Sequence, residues 1–315
     1  MNAFDWVAQI LGILVALLAA PLFLGWVNQC RAWLQNKSAP PLLQPYRGIR
    51  KLFYKDAVIA SNASQFFRLA PYVVFGTMVT AAAIIPSVAT RLPFTRAADA
   101  IALVGLFATA RVFVSLAAMD VGTAFGTLGA RREMMIGFLA EPALLMVIFV
   151  ASLISATTAL PAISELLATQ SLALYPSLAF TAVAFTMVLL AENARIPVDN
   201  PATHLELTMI HEAMLLEYSA RHLALMEWAA ALKLFNYVCI GLAMFLPWGL
   251  ATSQEPFALT VALLLLGGKL VLAGAGIALI ETVSAKLRVF RAPEFLATAF
   301  LFAVLGLLVR LLLGA

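Results

Sequence analysis

Eight runs of apolar residues, each about twenty long, dominate this chain, and they leave few folds open to it. We read them at 7–27, 70–90, 97–117, 138–160, 172–192, 229–250, 258–281 and 295–313. Each is long enough to cross a hydrocarbon layer of about 30 Å as a helix. In lipid a helix satisfies its own backbone, so the expected fold class is all-α: a polytopic membrane protein, a bundle of eight transmembrane helices with amphipathic cytoplasmic helices. Composition agrees, with 63% hydrophobic and 11% charged residues in 315, against roughly 45–50% and about 25% in soluble domains. A secreted domain, a coiled coil, a disordered tail and an ordinary cytosolic enzyme are excluded. Residues 1–315 read as a single membrane domain, with cytoplasmic loops at 28–69, 118–137 and 193–228. The start lacks a basic segment ahead of its apolar run, so we expect no cleavable signal.

The net charge of +4 does not point to nucleic acid, because basic and aromatic residues are not interleaved in a patch. Basic residues instead mark topology. Arg31, Lys37, Arg47, Arg50, Lys51, Lys55, Arg68, Arg131, Arg132, Arg195, Arg221, Lys286, Arg288 and Arg291 lie in the loops after spans one, three, five and seven. The remaining loops carry Arg91 and Arg96. By the positive-inside rule the first set faces the cytoplasm and both termini face outward. Cys30 and Cys239 stand alone, without the four thiolates of an iron–sulfur site. His204 and His211 are two helical turns apart, too far for easy chelation of one metal. We expect no metal on this chain.

Two loops have helical patterns. Residues 44–56 place Tyr46, Ile49 and Phe53 on one side and Arg47, Lys51 and Lys55 on another, either an interfacial helix or a docking surface. Asn200-Pro201 is a cap and first-turn proline opening a helix to about Tyr218, with Glu206, Ile210, Ala213 and Glu217 on one face. Gly267, Gly268, Gly274 and Gly276 would let span seven approach a neighbour closely.

Ionisable residues in apolar surroundings are functional suspects. They are Arg111, Glu141, Glu192, Lys233, Lys269 and Glu281. Arg111 and Glu281 can reach a boundary and favour snorkelling or a structural ion pair, whereas Lys269 is near mid-span. Glu141 and Glu192 end spans beside the loop that carries Glu206, Glu212 and Glu217. Carboxylates crowded at a membrane edge raise one another's pKa and pass protons. The same residues would also serve as a charged rim that holds a soluble partner, and spacing alone leaves both readings open.

Three segments carry a family resemblance. Residues 43–56, LQPYRGIRKLFYKD, are similar to the LQP…KLLFKE stretch of the complex I subunit that joins the peripheral and membrane arms. Residues 126–132, GTLGARR, followed by Glu141, resemble its LGxxR…E stretch. Residues 192–199, ENARIPVD, then Glu206-Leu207 and Glu217-Tyr218-Ser219, resemble its ExxRxPxD…EL…EYS signature. That family includes quinone-reducing complex I and energy-converting membrane-bound [NiFe] hydrogenases of the formate hydrogenlyase and hydrogenase-4 type. Ala202 and His204 stand where the quinone enzymes have carboxylates, and about three extra residues precede Glu217. Both departures place the chain nearer the hydrogenase branch.

The resemblance implies a membrane subunit, without a redox centre or catalytic residue of its own, in the inner membrane of a prokaryote. It would anchor a [NiFe] large subunit and an iron–sulfur small subunit, which carry the [NiFe] centre and the clusters, onto antiporter-like membrane subunits among lipid. Protons or sodium ions would be coupled through Glu141, Glu192, Asp199, Glu206, Glu212, Glu217, Lys233 and Lys269. Arg195 would pair with those carboxylates and Arg131 would have an ion-pair role, while Arg47, Arg50, Lys51 and Lys55 dock the arm. The alternatives are the quinone-site subunit of an NADH:quinone oxidoreductase, with quinone as ligand, and a passive membrane scaffold. A stand-alone carrier is a more distant fourth.

Overall fold

The computed structural model describes residues 3–90, 92–94, 99–169, 175–199, 209–251, 255–285, 287 and 291–313. Among them the helices, in chain order, are α1 (Ala3–Leu34), α2 (Gln44–Phe53), α3 (Gln65–Ile84), α4 (Ala100–Asp120), α5 (Ala124–Ser155), α6 (Leu160–Thr169), α7 (Pro176–Glu192), α8 (His211–Leu215), α9 (Ala220–Phe245), α10 (Pro256–Val283) and α11 (Ala292–Leu313). Seven of these, α1, α3, α4, α5, α9, α10 and α11, are long and apolar enough to cross a membrane. The fifth expected span is α7, 17 described residues or roughly 25 Å of rise, preceded by residues outside the described set. Among the described residues the bundle is thus all-helical, with seven helices of membrane-crossing length and the shorter apolar α7 in place of the fifth expected span.

Helix α9 is the axis of the bundle. It is 72% buried across its apolar window, against 28% for α10 and 22% for α11. It packs against α1, α2, α3, α6 and α7. Its sequence shows why: Asn236, 1% exposed, donates its amide to the Met78 carbonyl of α3 at 2.9 Å. A buried amide in hydrocarbon needs such a partner. Helices α3, α4, α5, α7 and α11 pack in succession, and α10 lies against α1. Of the four glycines expected to admit a neighbour, only Gly274 does so, under Trp26; a Cβ at Gly267, Gly268 or Gly276 would meet open space. Trp26 crosses the same contact to donate its indole N–H to Val271 O at 3.0 Å.

One segment read as a loop is more helical than expected, and one read as a helix is less so. The expected loop 118–137 is largely the first turns of α5, and only Val121–Thr123 separate it from α4. Glu141 is therefore well inside a 32-residue helix rather than at its start. The helix expected from Asn200 to Tyr218 begins outside the described residues; from 209 on it is only the five-residue α8. Helix α2 matches expectation: Ile49 is buried while Arg47, Arg50, Lys51 and Lys55 are exposed, with Arg50 and Lys51 in the last turn, where the helix dipole favours cations.

Candidate functional site

The turn after α7 organises the site. Asn193 ends the helix, Ala194 takes φ 53°, and Arg195 N–H returns to Leu190 O at 2.9 Å. This is the six-to-one bond of a Schellman motif, with alanine where glycine is usual. The chain then turns again, with Val198 and Asp199 N–H both reaching Arg195 O. One motif thereby points Glu192, Arg195 and Asp199 at three different neighbours.

Arg111 of α4 is the hub. Its Nη2 donates to Glu192 Oε1 and its Nη1 to Glu141 Oε1 of α5, while its Nε lies 3.4 Å from Glu133 Oε1 of α5. Glu192 Oε2 is 2.9 Å from Lys233 Nζ on α9. On the other flank, Glu133 Oε2 is 3.4 Å from His211 Nε2, and His211 Nδ1 is 3.2 Å from Asp199 Oδ2. Asp199 Oδ2 also accepts the backbone N–H of Ile210 at 3.3 Å and of His211 at 3.1 Å. Seven ionisable side chains on five elements thus form one unbroken chain. Glu133, Glu192, Asp199 and Arg111 are all less than 10% exposed. Arg111 lies nine residues before the end of α4 and Lys233 thirteen after the start of α9, so the chain runs roughly 13–20 Å into the bundle. Such burial is tolerated only where each charge is paired.

Arg111, Glu133, Glu192, His211 and Lys233 line a single cavity of about 130 Å³. The guanidinium fits because position 137 is glycine. A methyl there would lie 2.8 Å from Arg111 Cδ and 3.0 Å from its Cζ, and closer still to Nη1. Gly137→Ala is therefore expected to push Arg111 off its carboxylates and destabilise the protein by about 1–3 kcal/mol, the usual scale of overpacking. Gly105→Ala, at a site where a Cβ meets nothing within 4 Å, is the control. Thermal melting in detergent checks both, and equal melting points would remove the steric argument.

The placement of the sequence-predicted residues is uneven. Glu141, Glu192, Asp199 and Lys233 join the network. Glu212 is exposed beside it, its carboxyl pushed above the usual range by partial burial and by Asp199. Glu217 is half-buried and forms no ion pair among the described residues. Its neighbours are structural: Tyr218 stacks on Phe67 at 4.1 Å and donates to Phe67 O at 3.1 Å, and Ser219 accepts from Val58 N–H at 2.9 Å. Glu206 lies outside the described residues.

Lys269 is elsewhere, donating to Leu246 O at 2.5 Å and to Trp248 O. It closes the carbonyl end of α9 and, among the described residues, forms no ion pair with the network. Arg195 holds a different carboxylate from those expected: it pairs with Glu281 of α10 at 3.2 Å, as does Arg31 at 3.5 Å. Of the two readings for Arg111 and Glu281, snorkelling and a structural ion pair, the structure shows ion pairs: both are buried, with partners from other elements. Arg131 is exposed without an ion pair among the described residues, and it is Arg132 that donates to Met209 O at 3.1 Å.

Glu133 and His211 were missed. Glu133 follows two arginines and looked like loop, yet Glu133, Gly137 and Glu141 are spaced i, i+4, i+8 and share one helical face. That spacing was the available signal. His211 was weighed only as a metal ligand, and its neighbours are brought to it by the fold.

Comparison with known proteins fits this arrangement. The chain is 35% identical to formate hydrogenlyase subunit 4 of Escherichia coli K12 over 297 residues, covering 93% of this chain and 94% of that protein. It is 35% identical to hydrogenase-4 component C of the same organism over 238 residues, 75% of this chain and 74% of that one. A chain of the membrane-bound sulfane sulfur reductase, an archaeal respiratory membrane complex, superposes with a TM-score of 0.80 at 17% identity, covering 96% of this chain and 98% of that one. The model of the family described as NADH dehydrogenase matches residues 8–312. The chain is a multi-pass membrane protein that belongs to the NADH dehydrogenase family, the complex I subunit 1-like membrane subunits.

Proposed function

We propose that this protein is the membrane subunit of an energy-converting [NiFe] hydrogenase complex, and that its buried network couples electron transfer in a peripheral arm to movement of protons, or of sodium ions. One observation carries the reading: the uninterrupted series Asp199–His211–Glu133–Arg111–Glu192–Lys233, with Glu141 as a branch, leads from a loop into the bundle. A passive anchor has no need of buried charges, each of which costs free energy in lipid. The names of the two Escherichia coli relatives support the hydrogenase branch. In this reading the basic end faces the cytoplasm of a prokaryote and the termini face outward. The exposed Arg47, Arg50, Lys51 and Lys55 dock the arm, whose subunits hold the [NiFe] centre and iron–sulfur clusters. Antiporter-like subunits receive the ions.

The test is purification of the whole assembly in mild detergent, followed by identification of its subunits and assay of ion uptake in membrane vesicles. A co-purifying [NiFe] subunit and hydrogen-linked acidification are expected. An NADH-oxidising module in its place would overturn the assignment. Glu141→Gln separates coupling from scaffolding: a coupling subunit stays assembled and loses ion movement, whereas a scaffold keeps it.

A second reading has its own observation. A cavity of about 390 Å³ opens between α1, α2 and α9, lined by Leu24, Ile49 and Glu227, and it shares Leu215 and Ala230 with the network cavity. That is room for the head of a quinone. Inhibitor-sensitive quinone reduction by the purified assembly would favour this reading, and a quinone-inert assembly that evolves hydrogen would remove it.

A further inference from the structure

His211 joins Asp199 of the loop to Glu133 of α5. It opens α8, its side chain is 23% exposed, and it lines the network cavity. Its two ring nitrogens face different carboxylates, and the surroundings of each decide what it does. Asp199 Oδ2 already accepts two backbone N–H groups, which fixes it in front of Nδ1 and makes it the acceptor of Nδ1–H. The tautomer is then set, because a hydrogen bond at one imidazole nitrogen decides the state of the other. Nε2 is left with its lone pair toward Glu133 Oε2, 3.4 Å away. Neither of these two buried atoms has a hydrogen-bond partner among the described residues. Their residues both line the cavity of about 130 Å³, large enough for about four waters at roughly 30 Å³ each.

We infer that His211 is the proton-transfer residue through which protons enter the buried network, with Asp199 as its positioning residue. The step is balanced without electrons. Water at the aqueous side delivers a proton to Nε2, giving an imidazolium. Nε2–H then passes that proton to Glu133 Oε2, giving a neutral carboxyl, and the imidazole returns to its starting tautomer. No ring rotation is needed between turnovers, since the proton arrives at and leaves from the same nitrogen.

The charged groups around the imidazole are Asp199 and Glu212 from its own segment, Glu133 and Glu141 from α5, Arg111 from α4, Glu192 from α7 and Lys233 from α9. Burial and Lys233 disfavour the imidazolium, but Glu133 and Asp199 outweigh them, so the pKa of His211 lies above its ordinary value. An imidazole poised in this way charges readily near neutral pH, and the Glu133 carboxylate 3.4 Å away is within reach of its proton.

This inference rests on the coupling function proposed above, and the experiment separates the two. Ion uptake per redox turnover is measured in vesicles holding the whole complex, with wild type and His211→Gln side by side, and subunit content is checked in each. Wild-type vesicles that move no ions would remove the coupling function, and the inference with it. Moving wild-type vesicles and a fully coupled glutamine variant would overturn the inference alone. The expected result is an assembled variant that keeps redox turnover and loses uptake at least about tenfold, at the low end of what a positioned acid–base group contributes. Should His211→Gln not accumulate in the membrane, His211→Ala supplies the readout. Uptake restored by added 4-methylimidazole supports the assignment, and an assembled alanine variant with undiminished uptake overturns it.

Discussion

Arg111→Met is expected to be the most damaging single substitution in this protein. Methionine matches the length and apolar body of arginine, so packing against α5 is largely kept. What is lost is the one cation that touches Glu133, Glu141 and Glu192 together. Removing one partner of a buried pair leaves an uncompensated charge, at a cost of about 3–5 kcal/mol. Here the buried Glu133 and Glu192 are exposed to that fate, while Glu141 is partly exposed; Lys233 remains for Glu192 and the His211 imidazole for Glu133. The variant should melt roughly 10 °C lower in detergent or fail to accumulate in membranes. Arg111→Lys, which keeps the charge but not the fork that reaches three acceptors, should fall between. If Arg111→Met melted with the wild type, the hub described here would not exist.

The second large effect is functional. Glu192→Gln is nearly isosteric, and its amide oxygen still accepts from Arg111 Nη2. The group nonetheless loses its ability to take up and release a proton, and it lies between the hub and Lys233. Ion uptake in vesicles should fall at least about tenfold, while hydrogen turnover with a soluble dye stays within about twofold. Unchanged uptake at unchanged turnover would take Glu192 out of the path. Glu281→Gln is the matched control. It is as deeply buried, but Arg195 and Arg31 are its partners and no ion pair among the described residues joins it to the Arg111 network. Its effect should be on stability, with the ratio of ions to turnovers preserved.

The difference between these two glutamates could not be read in the sequence. Both end an apolar run and both are acidic. Their separation is made by what lies across the gap: α4 and α9 for Glu192, α1 and the α7 turn for Glu281. The same holds for arginine. Arg195 and Arg111 were each assigned a role from position along the chain, and the fold gives Arg111 the carboxylates that Arg195 was expected to hold. Lys269 and Lys233 are likewise alike in sequence, each the one Lys or Arg in its apolar run, 258–281 and 229–250. One closes the carbonyl end of α9 and the other meets a carboxylate.

Some of the site was legible. Glu141, Glu192 and Lys233 stood out because a charge in an apolar run is costly wherever it sits, and that cost is a local property; Asp199 stood out through the family resemblance at 192–199. Glu133 was hidden because its helix runs on beyond the hydrocarbon length used to mark spans. His211 was hidden because histidine means little until its neighbours are known.

Sequence by itself determined the class of this protein: apolar runs of membrane length, basic residues on alternate loops, an amphipathic α2 with Ile49 inward and Lys51 outward, and a family signature from Glu192 to Asp199. These follow from hydropathy and period, which are summed over neighbours along the chain. Only the tertiary structure decided which charges meet. Coulombic pairing and desolvation fall off over a few ångströms, and residues 30 or 81 positions apart in the chain, as Glu141 and Glu192 are from Arg111, come within that range only when the helices have packed.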